Sequence, residues 1–436
     1  MKIVEEAVWQ TRFHEKREQQ FHKLLKRYDE QMIPIMKARG YRCIRSAERT
    51  VAFTFGEFTF SRRKWKKGKN WMCPVDEYLG LEKNVRYSKE LLYQIAELST
   101  MMTYDSVVRV VKMTYNVTIT KPTVVKVVKM AHKLVTEYED YQYYQEELSA
   151  EEKLQANLIY VEGDGVLIKV YNEEGEARYK ELSHFIVHTG SAPVGPTRRA
   201  LQRKKSFVAL KNSHARDKVL DYLHQTVDIN DQTILITNSD GGKGFSPYVF
   251  KELAKALRVQ RHEHFWDPHH VTSEIDKVYR TYPKELKNEL CKAIEKHDRK
   301  LLRTVLDTTE SLLETEEEAE RFAQFSKRIV SQFQYTKSAK QRGFDYLTVG
   351  AMESQHRKLT YRMKGKGMVW RPQGASGMSN MILCLKENRL RDLFFGSWRE
   401  DYQKIQKAEE VTAGQLRIKA NNIDTNPIHY SLKRKW

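Results

Sequence analysis

The sequence has few cysteines and no long apolar run. Its four cysteines, Cys43, Cys73, Cys291 and Cys384, are scattered over 436 residues and form no CxxC pair. Both a disulfide framework and a structural zinc site are therefore disfavoured, and all four are expected to be reduced and partly buried. No stretch of about 18 apolar residues occurs, so no membrane span is expected. The charged N-terminus lacks the apolar core of a secretory leader, so a cytoplasmic protein is expected.

Positive charge is abundant. Lys and Arg number 76 against 57 acidic residues, a formal net charge of +19 with a pI near 9.5. With aromatics at 11% interleaved among the cations, the partner most consistent with this balance is a polyanion. The length allows two or three domains with separate cores.

Hydrophobic periodicity divides the chain. Residues 1–48 are dominated by an amphipathic helix over 5–33, with Trp9, Phe13, Phe21, Leu24, Leu25, Tyr28 and Met32 at helical spacing. This helix either packs on the body or pairs with another subunit. Residues 49–87 read as a β-hairpin turning at Gly56-Glu57, then a basic, tryptophan-bearing segment from Arg62 to Trp71. That segment suits either a phosphate backbone or a solvated face beside a core tryptophan. Residues 88–150 contain short helices with Ser88 and Thr120 as N-caps and Pro122 in a first turn. Two helices joined by a tight turn, the second carrying Lys121, Lys126, Lys129 and Lys133, suggest a helix-turn-helix. The alternative is a helical pair whose lysines face water. An acidic, tyrosine-rich linker helix over 138–152 closes this region.

From residue 151 the pattern changes to strands. A strand run over 158–171, broken at Glu162-Gly-Asp-Gly165, is followed by strands near 179–189 and 206–210 and a helix over 214–227. A buried strand then ends at Asp240, and a helix and a strand to Phe265 follow. This order describes an α/β fold with a mixed sheet of the ribonuclease-H type. A helical block over 271–345 interrupts it, the core resumes over 346–400 with a helix near 348–362, and 401–436 form a basic tail.

Three acidic residues stand out at element ends. Asp164 lies between Gly163 and Gly165, which would let backbone and substrate approach closely. Asp240 ends a buried strand just before Gly241-Gly242, where open α/β sheets place ligands. Glu353 sits on a later helix, and the separations are 76 and 113 residues. Carboxylates brought together from rigid elements are the hard oxygen ligands that hold two divalent cations roughly 3.5–4 Å apart for phosphodiester chemistry. Glu162 shares a strand face with Asp164 and is either a rival ligand or a support for the site.

The motifs Phe55-Gly-Glu-Phe-Thr-Phe-Ser-Arg62, Glu162-Gly-Asp-Gly165, Ser239-Asp-Gly241, Asp267-Pro-His-His270, Glu353-Ser-Gln-His and Arg362-Met-Lys-Gly-Lys-Gly-Met-Val-Trp370, with Gly374-Ala375, occur in a characteristic order. In them the chain resembles the bacterial insertion-sequence transposases of the ISLre type, formerly grouped as an uncharacterised protein family. That family looks like a relative of the Mutator-type DDE transposases, whose ribonuclease-H-like core carries a helical insertion before the final Glu. The resemblance implies Asp164, Asp240 and Glu353 as catalytic and metal-binding residues. Mutator-type enzymes have a Cys-x-x-His after the second Asp. Here Asp267 stands for the Cys, leaving Asp267 and His270 to brace the sheet or to contact DNA.

The expected activity is cleavage and joining of DNA strands with two Mg²⁺ ions, for which Mn²⁺ substitutes. The expected partner is double-stranded DNA, both terminal repeats and target, bound by a dimer or larger homo-oligomer. Lys121, Lys126, Lys129, Arg357, Lys358, Arg362, Lys364, Lys366 and Trp370 are the candidate DNA contacts, the cations on phosphates and Trp370 on an unpaired base. A solvated basic face is the alternative for the stretch beyond Glu353. Other functions in view are a regulator that binds DNA without cutting, and a nuclease that cuts without joining.

Overall fold

The computed structural model describes residues 5–143, 152–196, 198–365 and 367–407. Helix α1 (Glu6–Ala38) lays Phe21, Leu25 and Tyr28 over a hairpin of β1 (Arg42–Phe53) and β2 (Gly56–Lys67). Alternation along β2 buries Phe58 and Phe60, and these rings with Val51, Phe53 and Leu25 form a separate small core. The turn falls at Thr54-Phe55, two residues earlier than the sequence suggested, because Gly56 already pairs with Phe53. Strand β3 (Asn70–Met72) extends this sheet and α2 (Pro74–Tyr78) covers its end. Part of the basic segment is structural: Arg62 is buried on Asp76 and the carbonyls of Ala47 and Glu48, and Trp65 is buried as well. Trp71 remains exposed.

Helices α3 (Lys89–Met101), α4 (Tyr104–Tyr115) and α5 (Lys121–Tyr143) follow. Ser88 caps α3 by accepting from Leu91 N at 3.2 Å. Asn116, in the left-handed region, ends α4. The expected linker helix is the last part of α5 as far as Tyr143, and residues 144–151 lie outside the described residues.

The main sheet is mixed. Its strands are β5 (Leu158–Tyr171), β6 (Ala177–His188), β9 (Lys205–Ala209), β11 (Ile234–Ser239) and β12 (Arg261–Trp266), in the order β12-β11-β5-β6-β9. The β5-β6-β9 half is antiparallel; β11 and β12 run parallel to β5. Short pairs flank it, β4 (Leu154–Gln155) with β10 (Val227–Asp228) and β7 (Ser191–Pro193) with β8 (Arg199–Leu201). The break expected at 162–165 does not occur. The β5–β6 ladder is continuous from Tyr160 to Tyr171, since β6 supplies partners that the two glycines cannot advertise in sequence.

One face of the sheet packs Ile159, Val161, Phe185 and Leu235 against α6 (Asn212–Thr226) and α7 (Pro247–Ala256). After β12 come α8 (Pro268–Val278), α9 (Lys284–Lys296), α10 (Arg299–Glu310) and α11 (Glu316–Gln332), with a core of their own around Leu290, Leu302, Phe322 and Ile329. The other face, through Val166, Ile168, Val170 and Leu182, joins α5, α12 (Met352–Met363), α13 (Pro372–Lys386) and α14 (Leu390–Phe395) in one core. Residues 88–143 thus share a core with the sheet. Among the described residues no helix is long and apolar enough to cross a membrane.

Candidate active site where one parallel strand ends beside another

Strand β11 runs parallel to β5 with Ser239 opposite Gly163, which brings Asp240, the next residue, beside Asp164. Each carboxylate is held by its own backbone. Asp164 Oδ1 accepts from Gly165 N at 2.6 Å, and Asp240 Oδ1 accepts from Gly242 N at 2.9 Å. The Asp240 carbonyl accepts from Trp266 Nε1 at 2.9 Å and from Arg328 Nη2 at 2.7 Å. Burial pushes the Asp240 carboxyl above its ordinary range; the Gly242 amide opposes this and the charge of Asp164 adds to it.

The glycines beside Asp164 admit the protein's own side chains. A Cβ on Gly163 would lie 2.6 Å from the Phe185 ring, and one on Gly165 would lie 2.5 Å from the Glu181 carboxyl carbon. Glu181 is therefore laid across the strand next to the aspartates. Burial raises its pKa, reinforced by the charges of Asp240 and Asp164. Sequence reasoning missed Glu181, because only the β5–β6 register identifies it.

Two imidazoles face the outer oxygen of Asp164. His270 Nε2 is 3.6 Å from Asp164 Oδ2 and His356 Nδ1 is 3.8 Å from it, ion-pair separations longer than hydrogen bonds. Asp164 raises the pKa of His270 against the effect of burial, whereas burial lowers that of the more enclosed His356. Asp267 explains how His270 arrives there. Its carboxylate caps α8, accepting from His269 N at 2.8 Å and His270 N at 3.3 Å, while its own N–H donates to Ser239 O at 2.8 Å. The pair expected to brace the sheet or touch DNA thus joins the end of β11 to α8 and aims His270 at Asp164.

Glu162 is wholly buried. Its Oε1 is 3.0 Å from His188 Nε2, and its Oε2 accepts from Gly350 N and Ala351 N, each at 2.8 Å. These amides open α12, the helix of Glu353. Since His188 Nδ1 accepts from Gly190 N at 3.1 Å, its Nε2 carries the proton and donates to Glu162. Glu162 is a positioning residue that ties the helix of Glu353 to the strand of Asp164.

Glu353 itself is exposed, one helical turn before His356, close enough to influence that imidazole's charge. Asp164 and Asp240 are brought together; Glu353 is on the same face of the sheet but does not close on them. Among the described residues no three His, Cys, Asp or Glu side chains form a ready-made metal site.

The candidate DNA contacts divide by exposure. Lys126, Lys129, Arg357 and Lys364 are exposed, and Lys121 is exposed in an ion pair with Asp105 at 2.9 Å. Lys358 is half-buried, its Nζ donating to Gln355 Oε1 at 2.6 Å. Lys366 lies outside the described residues. Arg362 and Trp370 require correction. Arg362 is buried, its Nε donating to Ser99 O at 2.7 Å and its guanidinium lying 4.9 Å from the Trp370 ring centroid. Trp370 is also buried, with Nε1 donating to Met363 O at 3.0 Å and its backbone bonded to Lys169 and Tyr171 of β5. Neither offers a free face to a base or a phosphate.

Known proteins extend this description. Residues 1–393 match a family described as Uncharacterised protein family (UPF0236). A UPF0236 protein in vanSb 3′region of Streptococcus gallolyticus is 27% identical over 376 residues, covering 85% of this chain and 80% of that protein. Among solved structures, the Drosophila P element transposase strand transfer complex is 10% identical, with 74% of this chain and 84% of that chain covered and a TM-score of 0.24, too low to carry an argument. The match over 1–393 of 436 residues settles membership: the chain belongs to the UPF0236 family.

Proposed function

We propose that this protein is a DDE-type transposase that binds the terminal repeats of an insertion sequence, cuts there, and joins the freed 3′ ends to target DNA. The observation that carries the reading is the pairing of Asp164, midway along β5, with Asp240, just past the end of the parallel strand β11, with the helix of Glu353 tied to β5 through Glu162. The strand order supports a ribonuclease-H-like core, an antiparallel three-strand meander continued from its first strand by two parallel strands.

The donor set fits a hard divalent cation. Two adjacent carboxylates, one of them costly to ionise, gain from a shared positive charge, and Mg²⁺ prefers such oxygen ligands. Asp164, Asp240 and Glu353 would hold it, and when bound such ions activate the attacking hydroxyl and stabilise the leaving oxygen. The chain's own residues do the rest. Glu162 orients α12, Arg328 and Trp266 fix the backbone at Asp240, and His270 faces the outer oxygen of Asp164. Lys126, Lys129, Arg357 and Lys364 are free to meet phosphates. Synapsis of two DNA ends would require a dimer or larger assembly.

The test is a Mg²⁺-dependent cleavage assay on labelled terminal-repeat duplexes. Asp164→Ala, Asp240→Ala and Glu353→Ala should each abolish cleavage and leave end binding intact. Cleavage at the wild-type level by any of them refutes the assignment. Strand-transfer products separate a transposase from a nuclease that only cuts, and binding without cleavage by the wild type identifies a regulator.

A further inference from the structure

On the far side of His356 from Asp164, two lysines converge on one acceptor. Lys358, on α12, donates from Nζ to Gln355 Oε1 at 2.6 Å, and Lys204, in the turn between β8 and β9, donates to the same oxygen at 3.3 Å. Among the described residues no carboxylate is ion-paired with either lysine, and Lys386 adds a third positive charge. Burial and the neighbouring Lys204 push the pKa of Lys358 down to about 8. Holding two ammonium groups this close is unfavourable without an anion between them.

The wall behind the lysines is equally unusual. His184, opposite Asp164 in the β5–β6 ladder, is 1% exposed, and neither of its ring nitrogens has a hydrogen-bond partner. Its ring stacks on His356 with centroids 5.2 Å apart, and His356 Nε2 is unpartnered too. Buried polar groups in folded proteins are nearly always satisfied, so two adjacent exceptions beside two unneutralised lysines call for a common cause. The two ammonium groups suit a compact oxyanion with several acceptor oxygens, with the imidazoles as the polar wall behind it.

We propose that Lys204 and Lys358, backed by His184 and His356, bind one phosphate group of a nucleic-acid backbone. The inference rests on the DNA reading above and specifies a subsite within it. His356 contacts both His184 and Asp164, so the subsite is one stacked ring pair away from the aspartates. A strand crossing the aspartates would place a neighbouring phosphate on the lysines and so fix its register at Asp164.

The test measures the affinity of the full-length protein for a fluorescent DNA duplex across a salt series, for wild type, Lys204→Ala, Lys358→Ala, the double variant and the remote surface control Lys300→Ala. Each neutralised phosphate contributes about 0.9 to the slope of log affinity against log salt. The double variant should lower the slope by about 0.9, and each single variant by no more than that, because both lysines serve one phosphate. Lys358→Ala should melt no lower than wild type, since it relieves a repulsion; this shows that lost affinity is not lost folding. Inorganic phosphate, at matched ionic strength, should raise the melting temperature of wild type and not of the double variant. Unchanged slopes in variants of a protein that does bind DNA overturn the subsite and leave the proposed function standing. A double-variant loss of about 1.8 means two phosphates and also overturns it. Stabilisation by inorganic phosphate without any slope change points to a free-anion site and overturns the strand assignment. A wild type with no salt-dependent DNA binding overturns the DNA reading, and the subsite with it.

Discussion

Replacing Glu162 tests how the site is assembled. The carboxylate is wholly buried and accepts three hydrogen bonds, from His188 Nε2 and from the amides of Gly350 and Ala351. Glu162→Ala would leave all three donors inside the protein. Each unsatisfied buried group costs about 1–3 kcal/mol, and removing one member of a buried charged network typically costs about 3–5 kcal/mol. Glu162→Gln should cost less, since its carbonyl oxygen can still serve the two amides. Its NH₂ would then face the His188 N–H, leaving one donor pair in conflict. The loss is local, so hydrogen exchange at Gly350 and Ala351 is the direct assay. An opening made easier by about 3 kcal/mol speeds exchange roughly a hundredfold. Cleavage should fall in the same order, wild type, Gln, Ala, through displacement of α12, with end binding retained. If the two amides exchange no faster in Glu162→Ala, the carboxylate does not anchor the helix and the reasoning is wrong.

Asp240→Asn should stabilise the protein at neutral pH. The folded-state pKa of Asp240 is raised, so the folded protein is penalised for ionising it once the pH exceeds the unfolded value of about 3.9. The gain should be present at pH 7 and vanish in melts run below that value; a gain of equal size at both pH values would contradict the cause given. Gly165→Ala should displace Glu181, because the added methyl would lie 2.5 Å from its carboxyl carbon. Glu181→Ala in the same chain should restore the lost stability, and a double variant no more stable than Gly165→Ala would show that the collision lies elsewhere. Trp370→Ala should lower stability by about 3–5 kcal/mol, as for other buried aromatics, and leave the folded protein's affinity for DNA unchanged. A loss of affinity without a loss of stability would return Trp370 to the DNA surface.

The meeting of Asp164 and Asp240 in the candidate site was legible because its signals are local. Asp164 and Asp240 follow apolar strand runs and adjoin glycines, and the helical block after Asp267 shows its period over many turns. What was not legible depends on partners distant in sequence. Glu162 and Gly350 are 188 residues apart, and nothing near Glu162 shows that it will bind a helix rather than a metal. The run from Arg357 to Trp370 reads as one basic face, yet Arg362 is sandwiched between the rings of Tyr104 and Trp370. Tyr104 belongs to α4, so the cation–π pairing that buries this arginine crosses the chain. Gly56 misled in another way: it looks like a turn residue, and it opens β2.

The two anchors also decide how Glu353 can reach the aspartates. On one side, Arg328 of α11 donates to the Asp240 carbonyl, lies over the Trp266 ring and pairs with Glu274, so the helical block after β12 is fixed to the end of β11. On the other, Glu162 grips the first amides of α12. Moving α12 toward Asp164 as a body would break two hydrogen bonds to a buried carboxylate, at about 1.5–3 kcal/mol each. Rotating the exposed Glu353 side chain costs no more than about 1.5 kcal/mol even for an off-rotamer χ angle. The smaller cost wins: in the proposed mechanism the third carboxylate arrives by side-chain rotation on a fixed helix. The 112 residues between Asp240 and Glu353 are thus tied to the site at two points, by Arg328 on the Asp240 carbonyl and by Glu162 on the first amides of α12.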